Sequence, residues 1–241
     1  MLSKSQIKLI TRLKQKKFRI ADGFFVAEGI KVINELLDSS LQLHLLFTTE
    51  SFKSHTENET LITEAELKKI SFLTTPNKAL AVFKIPIQKN IDPQGLVVAL
   101  DSIRDPGNLG TIIRLCDWFG IKELVCSKET VDCYNPKVVQ ATMGSITRVN
   151  ISYLDLNTFL VEAEMPIFGA FMDGASVYRS ELPNAGIIIM GNEANGISDA
   201  IEKQVTQRVA IPRFGEIQAT ESLNVATATA ILLSEFRRSL S

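Results

Sequence analysis

The chain has 241 residues, 45% of them hydrophobic and 22% charged, which suffices for one substantial core or for one core with a smaller companion domain. No apolar run approaches the roughly 18 residues that a membrane helix needs, and the first residues lack the apolar stretch of a signal peptide, so we expect a cytoplasmic protein without membrane contact. The three cysteines have no C-x-x-C spacing and the two histidines lie far from them, so we expect neither a disulfide framework nor a metal site.

The net charge of -1 conceals an asymmetry along the chain. Residues 1–89 carry 14 Lys or Arg against 9 Asp or Glu, whereas residues 90–241 carry 12 against 18. Basic surfaces bind the phosphates of nucleic acid, so nucleic acid is the natural candidate partner of the first part. The alternative is that these side chains form the solvated face of an amphipathic helix. The candidate contacts are Lys4, Lys8, Arg12, Lys16 and Arg19.

An alternation of strands and helices is predicted for the first part of the chain. Ser3 and Gln6 have capping-box spacing and predict a helix that continues to about Arg19. A second capping box, Thr63 with Glu66, predicts another helix start. Strands are predicted at 24–27, 43–48 and 80–83, with a helix after Gly29. This alternation is typical of βαβ units.

Residues 84–95 contain two prolines and a polar tail, which predicts a linker. We therefore expect a domain boundary near residue 90, with an N-terminal domain at 1–89 and a catalytic domain at 90–241. Beyond it, residues 96–100 are apolar at every position, as in a strand covered on both faces of a parallel sheet. Similar runs at 124–126, 167–172 and 186–190, with helices between them and a last helix at 222–238, predict a layered α/β sheet.

Three blocks rich in Gly, Asn or Ser follow apolar runs in this second part: 101–114 (DSIRDPGNLGTIIR), 191–198 (GNEANGIS) and 222–225 (SLNV). Polar residues at the ends of buried strands are where α/β folds place their chemistry. The chain is therefore predicted to be an enzyme.

The middle block differs from a phosphate-binding loop. Gly191 and Gly196 have the required spacing, but Ile197 stands where lysine is needed, and Glu193 would repel a triphosphate. No G-x-G-x-x-G follows a predicted strand either, which disfavours a dinucleotide cofactor. A ligand with a positive charge and an adenine but no phosphates would suit the loop. The alternative is a tight turn without a ligand.

The order of the blocks carries a resemblance to a known family. Asn108, Gly110 and Arg114 form N-x-G-x-x-x-R, followed by G-N-E-A-N-G and then by I-P, a spacer and S-L-N-V. This order resembles the SpoU (TrmH-like) family of RNA 2′-O-ribose methyltransferases, in the SPOUT superfamily. Residues 25–35 (FVAEGIKVINE) resemble a segment of the substrate-binding domain that precedes the catalytic domain in many members, and 136–145 (PKVVQATMGS) resemble the segment between the first two motifs.

The resemblance implies both a fold and an activity. The fold would be a deep trefoil knot, with a mostly parallel sheet and helices on both faces, preceded by a small L30e-like α/β domain that docks RNA. The enzyme would transfer the methyl group of S-adenosylmethionine to a ribose 2′-hydroxyl of tRNA or rRNA without a metal, as a homodimer through the knotted domain. The alternative is a catalytically inactive RNA-binding paralogue, which the presence of Arg114, Asn108, Glu193 and Asn224 disfavours.

The resemblance also assigns residues. We expect Arg114 to act as an electrostatic clamp on the 2′-oxygen, because a guanidinium with a pKa above about 12 is a poor base. Without the resemblance, Asn108, Ser222 and Asn224 would be interpreted as helix caps, and Glu193 as a partner of a helix dipole. The expected catalytic residues are Arg114, Asn108, Glu193, Ser222 and Asn224, and the expected cofactor-binding residues are Met190, Gly191, Asn192, Gly196, Ile211 and Leu223.

Two further expectations concern packing and one loop. Cys116 and Trp118, on the helix that follows the first block, are interpreted as core residues. Residues 213–221 form a longer spacer before S-L-N-V than is usual in the family, so the loop beside the cofactor is expected to be reshaped.

Overall fold

The chain folds around two sheets. The computed structural model describes residues 2–51, 59–217 and 222–238. Contacts group Met1–Ile87 with Asp132–Thr147 in an N-terminal unit, and Gln88–Val131 with Arg148–Ser241 in a C-terminal unit. Within the described residues, no helix has the length and apolar character to cross a membrane.

The elements follow one another in an order close to the predicted one. The first are α1 (Lys4–Arg12), α2 (Lys16–Asp22), β1 (Phe24–Glu28), α3 (Ile30–Leu37), β2 (Leu43–Thr48), β3 (Glu59–Leu61), α4 (Glu64–Ile70) and β4 (Ala79–Lys84). They are followed by β5 (Leu96–Leu100), α5 (Pro106–Trp118), β6 (Glu123–Ser127), α6 (Pro136–Thr142), β7 (Asn150–Leu154), α7 (Leu156–Val161), β8 (Ile167–Ser176), β9 (Gly186–Met190), α8 (Asp199–Glu202), β10 (Gln207–Ala210) and α9 (Val225–Arg237).

The N-terminal sheet has the strand order β1-β4-β2-β3. β4 lies between β1 and β2 and is antiparallel to both, while β2 and β3 pair in parallel. The predicted strands are therefore confirmed, but β1 and β2 are not the neighbouring parallel pair that a βαβ alternation suggests. The hydrophobic pattern predicts where each strand lies in the sequence but not the order of the strands in the sheet, where β4 lies between β1 and β2.

The first predicted helix is broken into two. Its capping box is confirmed, since the Ser3 hydroxyl accepts the Gln6 N–H and the Gln6 side chain accepts the Ser3 N–H. The helix nevertheless ends at Arg12, and the break frees the backbone carbonyls of Leu13 and Lys14. The guanidinium of Arg19 donates to these two carbonyls at 2.7 and 2.9 Å. A buried side chain thus replaces the helical hydrogen bonds that the break removes.

The segment Asp132–Thr147 belongs to the N-terminal unit. Arg19, only 2% exposed, donates through Nε and Nη2 to one carboxylate oxygen of Asp132 at 2.8 and 2.6 Å. The Tyr134 ring packs against Phe25 of β1 with ring centroids 4.8 Å apart. Breaking a buried ion pair typically costs about 3–5 kcal/mol because one charge is left uncompensated. The pair therefore fastens this late segment to the early part of the chain.

The C-terminal sheet has the order β10-β8-β9-β5-β6-β7, and all of its neighbouring pairs are parallel. One face forms a core in which Val97 and Ala99 of β5 pack with residues of α7 and α8. On the opposite face, Phe236 of α9 contacts Phe168 of β8 with ring centroids 5.0 Å apart. The predicted parallel α/β layering with helices on both faces is confirmed, and the trefoil knot stays a prediction from the family resemblance.

The strand order of this sheet reverses at one point. From β5 the chain proceeds to β6 and β7 on one side, whereas β9, β8 and β10 lie on the other side. A crevice forms at the carboxyl ends of the strands where such a reversal occurs. Asp101 follows β5 directly and Gly191 follows β9 directly, so the first two polar blocks meet at this reversal.

Helices α5 and α9 pack together on one face of the sheet. Arg237 of α9 donates to the backbone carbonyls of Phe119 and Gly120 at 3.0 and 3.3 Å, just past the end of α5. Cys116 is buried as predicted, but the interpretation of Trp118 as a core residue is wrong, because its side chain is 84% exposed. Two residues along a helix turn the side chain by about 200°, which directs Trp118 away from the core that Cys116 faces.

Candidate active site

The loops after β9 and β10, part of β8 and the start of α9 surround a cavity in the C-terminal unit. Its volume is about 590 Å³, within the range of small-molecule sites. Most of the wall is apolar, and Glu193 and Arg213 are the charged residues among the described residues that line it. All six predicted cofactor-binding residues lie in the wall, together with two of the predicted catalytic residues: Met190, Gly191, Asn192, Gly196, Ile211, Leu223, Glu193 and Ser222.

The loop after β9 is closed by its own hydrogen bonds. The backbones of Asn192 and Gly196 exchange two hydrogen bonds of 2.9 and 2.8 Å. The Asn192 side chain accepts the N–H groups of Ala194 and Asn195 and donates to the carbonyl of Ser102 at 2.7 Å. Asn192 therefore both shapes its own loop and attaches it to the first block.

Two positions in this loop require glycine. A Cβ atom at Gly191 would collide with the backbone of Gly196 and Ile197. Gly196 has a φ of +70°, in the left-handed region that glycine adopts at little cost. The sequence already indicated that the backbone approaches something closely here, and the structure shows that it approaches the other end of the same loop.

Asp101, the first residue of the first polar block, is a further residue of this site for which the sequence predicts no role. Its carboxylate is 5% exposed, and one oxygen accepts the N–H of Ser198 at 2.7 Å. The other oxygen accepts the hydroxyl of Ser102 at 3.1 Å, and the Asp101 N–H donates to the carbonyl of Met190 at 2.9 Å. The position of this acidic residue directly after a buried strand is the sequence feature that could have indicated its role. Asp101 therefore joins both ends of the loop after β9 to the end of β5.

Three predicted catalytic residues form a chain of hydrogen bonds. The side-chain amide of Asn224 donates to Asn108 Oδ1 at 2.9 Å, and the amide of Asn108 donates to Glu193 Oε1 at 2.6 Å. These residues come from the N-cap of α9, from α5 and from the loop after β9, and they are far apart in sequence. The chain of amides links all three polar blocks and holds the Glu193 carboxylate at the cavity wall.

The structure confirms one of the three predicted helix caps, Asn224, and contradicts the other two, Asn108 and Ser222. Asp105, and not Asn108, caps α5, since its carboxylate accepts the Asn108 N–H at 2.8 Å. Asn224, and not Ser222, caps α9 by accepting the N–H groups of Ala226 and Thr227. Asn224 thus has two roles, because its oxygen caps a helix while its amide holds Asn108.

Arg114 lies on α5 with an exposed side chain. It does not line the cavity, and it has no hydrogen bond or ion pair within the part of the chain that the structure describes. The structure therefore brings four of the five predicted catalytic residues to the cavity or its hydrogen-bond network and leaves Arg114 outside that network.

One wall of the cavity comes from an irregular stretch of β8 that the sequence reasoning interpreted as a regular buried strand. The pairing with β10 jumps, so that Arg208 pairs with Gly169 but Val209 pairs with Ala175. The residues skipped by this jump include three that line the cavity: Ala170, Phe171 and Met172.

Arg208 holds the irregular stretch of β8 in place. Its guanidinium lies 3.5 Å from the centroid of the Phe171 ring and bonds to Asp173 and Glu202 at 2.6 and 2.5 Å. The hydrogen bond from Arg208 lowers the pKa of Asp173 below its usual value, so the carboxylate stays ionised, and paired with Arg208, to a lower pH than an unpaired aspartate would.

The predicted nucleic-acid contacts do not all face solvent. Lys4, Lys8 and Lys16 are exposed, and Arg12 is partly exposed while paired with Asp22 at 2.6 Å. The prediction for Arg19 is wrong, because its guanidinium is buried against Asp132 and two backbone carbonyls. The described residues include no group of three His, Cys, Asp or Glu arranged to hold a metal ion.

Comparison with known families agrees with this geometry. The model of the SpoU rRNA methylase family matches residues 95–234, and that of the MRM3-like substrate binding domain matches residues 4–81. The chain belongs to the SpoU rRNA methylase family. This SpoU protein is therefore an RNA 2′-O-methyltransferase, as the order of its motifs predicted.

Individual relatives cover almost the whole SpoU chain. A 23S rRNA guanosine 2′-O-methyltransferase of Bacillus subtilis is 27% identical over 94% of this chain and 93% of its own length. A TrmH-family protein from Porphyromonas gingivalis superposes with a TM-score of 0.90, 38% identity and 99% coverage of both chains. An S-adenosylmethionine-bound rRNA methyltransferase from Sinorhizobium meliloti has a TM-score of 0.87 and 28% identity, covering 100% of this chain and 98% of its own.

Replacing Asp101 by alanine removes the acceptor that holds the Ser198 N–H. A hydrogen bond to a charged group contributes about 1.5–3 kcal/mol, so we expect the Kd for S-adenosylmethionine to rise about 10- to 100-fold. Isothermal titration calorimetry measures this change, with the exposed Asp199→Ala as the matched control. An Asp101→Ala variant that binds as tightly as the wild type would show that the loop keeps its shape without Asp101.

Proposed function

We propose that this protein methylates ribose 2′-hydroxyls of ribosomal RNA in the cytoplasm, with tRNA as the alternative substrate. The hydrogen-bond chain from Asn224 through Asn108 to Glu193 carries the proposal, since it links three sequence-distant blocks at the wall of one cavity. Relatives from Bacillus subtilis and Sinorhizobium meliloti are named as rRNA methyltransferases, which supports ribosomal RNA as the substrate and a bacterial cytoplasm as the location.

The cavity has the chemistry to hold S-adenosylmethionine. Apolar residues such as Met190, Ile211 and Leu223 provide surfaces for the adenine, and Glu193 places a negative charge in the same wall. When bound, S-adenosylmethionine supplies a methyl group that its sulfonium already makes electrophilic, so the proposed transfer needs no metal. The closed glycine loop places Gly191 and Asn192 in the cavity wall, and the absence of a side chain at Gly191 lets a ligand approach its backbone.

The acceptor side needs positive charge, because a ribose hydroxyl is a poor nucleophile and its oxygen becomes negative as the bond forms. Arg114 can provide this charge, since its exposed guanidinium has no partner among the described residues. Asn108 and Asn224 orient Glu193, and Ser222 adds a hydroxyl to the same wall. We assign Arg114 to the 2′-oxygen or the adjacent phosphate, as an electrostatic clamp.

The exposed lysines of the N-terminal unit are the proposed RNA contacts. Lys4 and Lys8 lie on α1 and Lys16 opens α2, all with exposed side chains. Arg12 contributes less, because Asp22 already neutralises its charge. Contacts of this kind release counterions from RNA, so binding through them weakens as the salt concentration rises.

Deleting the gene tests the proposed activity directly. We expect one or more 2′-O-methyl groups to disappear from rRNA, or from tRNA in the alternative, and to return when the wild-type gene is restored. Mapping 2′-O-methylation in total rRNA and tRNA from the three strains gives the result. Unchanged methylation in both RNA classes would contradict the proposal, and failure to bind S-adenosylmethionine in calorimetry would favour the inactive RNA-binding alternative.

Replacing Arg114 by lysine keeps the positive charge and removes the guanidinium fork. The clamp role predicts that methyl transfer falls about tenfold with lysine and about 100- to 1000-fold with alanine, the range for losing one donor to a developing oxyanion. Transfer of a radioactive methyl group measures the rate, with Arg104→Lys in the same block as the control. Complete loss with lysine, while RNA binding is retained, would exclude a role that depends on charge alone.

We also propose that the protein is a homodimer through its C-terminal unit. The exposed Trp118 at the end of α5 supports this. Covering a large apolar side chain with a second copy removes its surface from water, which stabilises the dimer. Sedimentation velocity should show a dimer for the wild type and for Trp118→Phe, and a larger monomer fraction for Trp118→Glu. Sedimentation of the wild type as a monomer at micromolar concentration would refute the proposed dimer.

A further inference from the structure

An exposed aromatic pair lies beside the cavity in the C-terminal unit. Ile211, Pro212 and Arg213 line the cavity, and the next residue, Phe214, is 83% exposed. The ring of Tyr178, 37% exposed, lies near it with ring centroids 6.4 Å apart and an angle of 32° between the ring planes. The two rings therefore form an open aromatic surface directly after a cavity-lining segment.

This surface is separate from the wall of the cavity proposed for the methyl donor. Phe214 and Tyr178 do not belong to the cavity wall, and the wall already contains an aromatic ring in Phe171, which Arg208 holds. Most of the Phe214 ring is exposed to water, so binding of a flat apolar partner that covers the ring is energetically favourable. Proteins that bind unpaired nucleotides use such rings, because every base presents a face that can stack on them.

The proposed reaction requires the acceptor nucleotide to reach the cavity beside these rings. The 2′-oxygen must approach the transferred methyl group to about 3 Å, so the acceptor ribose has to reach the cavity. A nucleotide whose ribose enters the cavity is drawn away from its neighbours in the RNA, and its base loses stacking with them. An aromatic ring on the protein can replace that lost stacking.

We propose that Phe214, with Tyr178 beside it, is a stacking platform for an unpaired nucleobase of the RNA substrate, at or next to the nucleotide that is methylated. The proposal rests on the proposed function, since it takes the occupant from RNA. Arg213, immediately before the platform, places a positive charge in the cavity wall on the same segment, which favours the phosphate of the same nucleotide. The occupant is a base and its backbone, and the chemistry does not select one base identity.

Substitutions at Phe214 separate stacking from general apolar contact. Phe214→Trp retains an aromatic face, Phe214→Leu retains apolar volume without one, and Phe214→Ala removes both. Ile217→Ala is the matched control, because Ile217 is an apolar residue of the same segment, 90% exposed and without a ring. All four substitutions are at exposed side chains, where effects on folding are usually small.

Two assays use the full-length protein. The first measures the KM for rRNA and tRNA extracted from a strain that lacks the gene, with radioactive S-adenosylmethionine as donor. The second follows the fluorescence of a short single-stranded RNA that contains 2-aminopurine, whose emission falls when the base stacks. Base stacking on an aromatic ring contributes about 1–3 kcal/mol, so the KM for RNA should rise about 5- to 100-fold in Phe214→Ala and Phe214→Leu. Phe214→Trp and Ile217→Ala should stay within about threefold of the wild type, with the Kd for S-adenosylmethionine unchanged.

Several results would overturn the platform. If leucine supports the same KM as phenylalanine, the contact is apolar and involves no stacking. If the Kd for S-adenosylmethionine rises in parallel, Phe214 belongs to the donor site. If Phe214→Ala changes the sedimentation coefficient, the ring contacts a second copy of the chain. A wild-type enzyme that methylates none of the RNAs would refute the proposed function, whereas an active wild type with an equally active Phe214→Ala would refute the platform alone.

Discussion

Parallel pairing between β5 and β9 is the constraint on which the candidate active site depends. It places the ends of two strands side by side at the point where the strand order of the sheet reverses. The hydrogen bond from the Asp101 N–H to the Met190 carbonyl continues this pairing one residue beyond the strands. The loop after β9 and the start of α5 then meet, because the two segments leave the sheet from adjacent strands.

Two sets of hydrogen bonds hold the loop after β9, a first set on its backbone and a second set on one of its side chains. Asp101 and Asn192 fix the backbone of the loop after β9, while Asn108 and Asn224 fix one side chain of that loop, Glu193. The second set reaches α9, whose other end is attached to the end of α5 through Arg237. A carboxylate held in this way loses little further freedom when a ligand binds, which is the physical basis of a preorganised site.

The sequence predicted those features that depend on local pattern. Both capping boxes, the strand β2 and the fully apolar strands β5 and β9 follow from neighbouring residues, and the cavity-lining positions follow from the order of the motifs. The features that were missed depend on distant partners. Arg19 is buried with Asp132, 113 residues away, as its charge partner, and the irregular stretch of β8 contacts Arg208 of β10 through Phe171. Hydrophobic periodicity contains no information about such pairs.

Because Asp132–Thr147 packs with the first 87 residues, the path of the chain has a consequence for its synthesis. Val138 and Val139 are fully buried, so the N-terminal unit is incomplete until α6 has left the ribosome. By then β5 and β6 have also left the ribosome, but β7 to β10, which complete their sheet, have not. The two units must therefore mature in an interleaved order, and a cut near residue 90 would yield an N-terminal fragment without Asp132–Thr147, the segment that completes its unit.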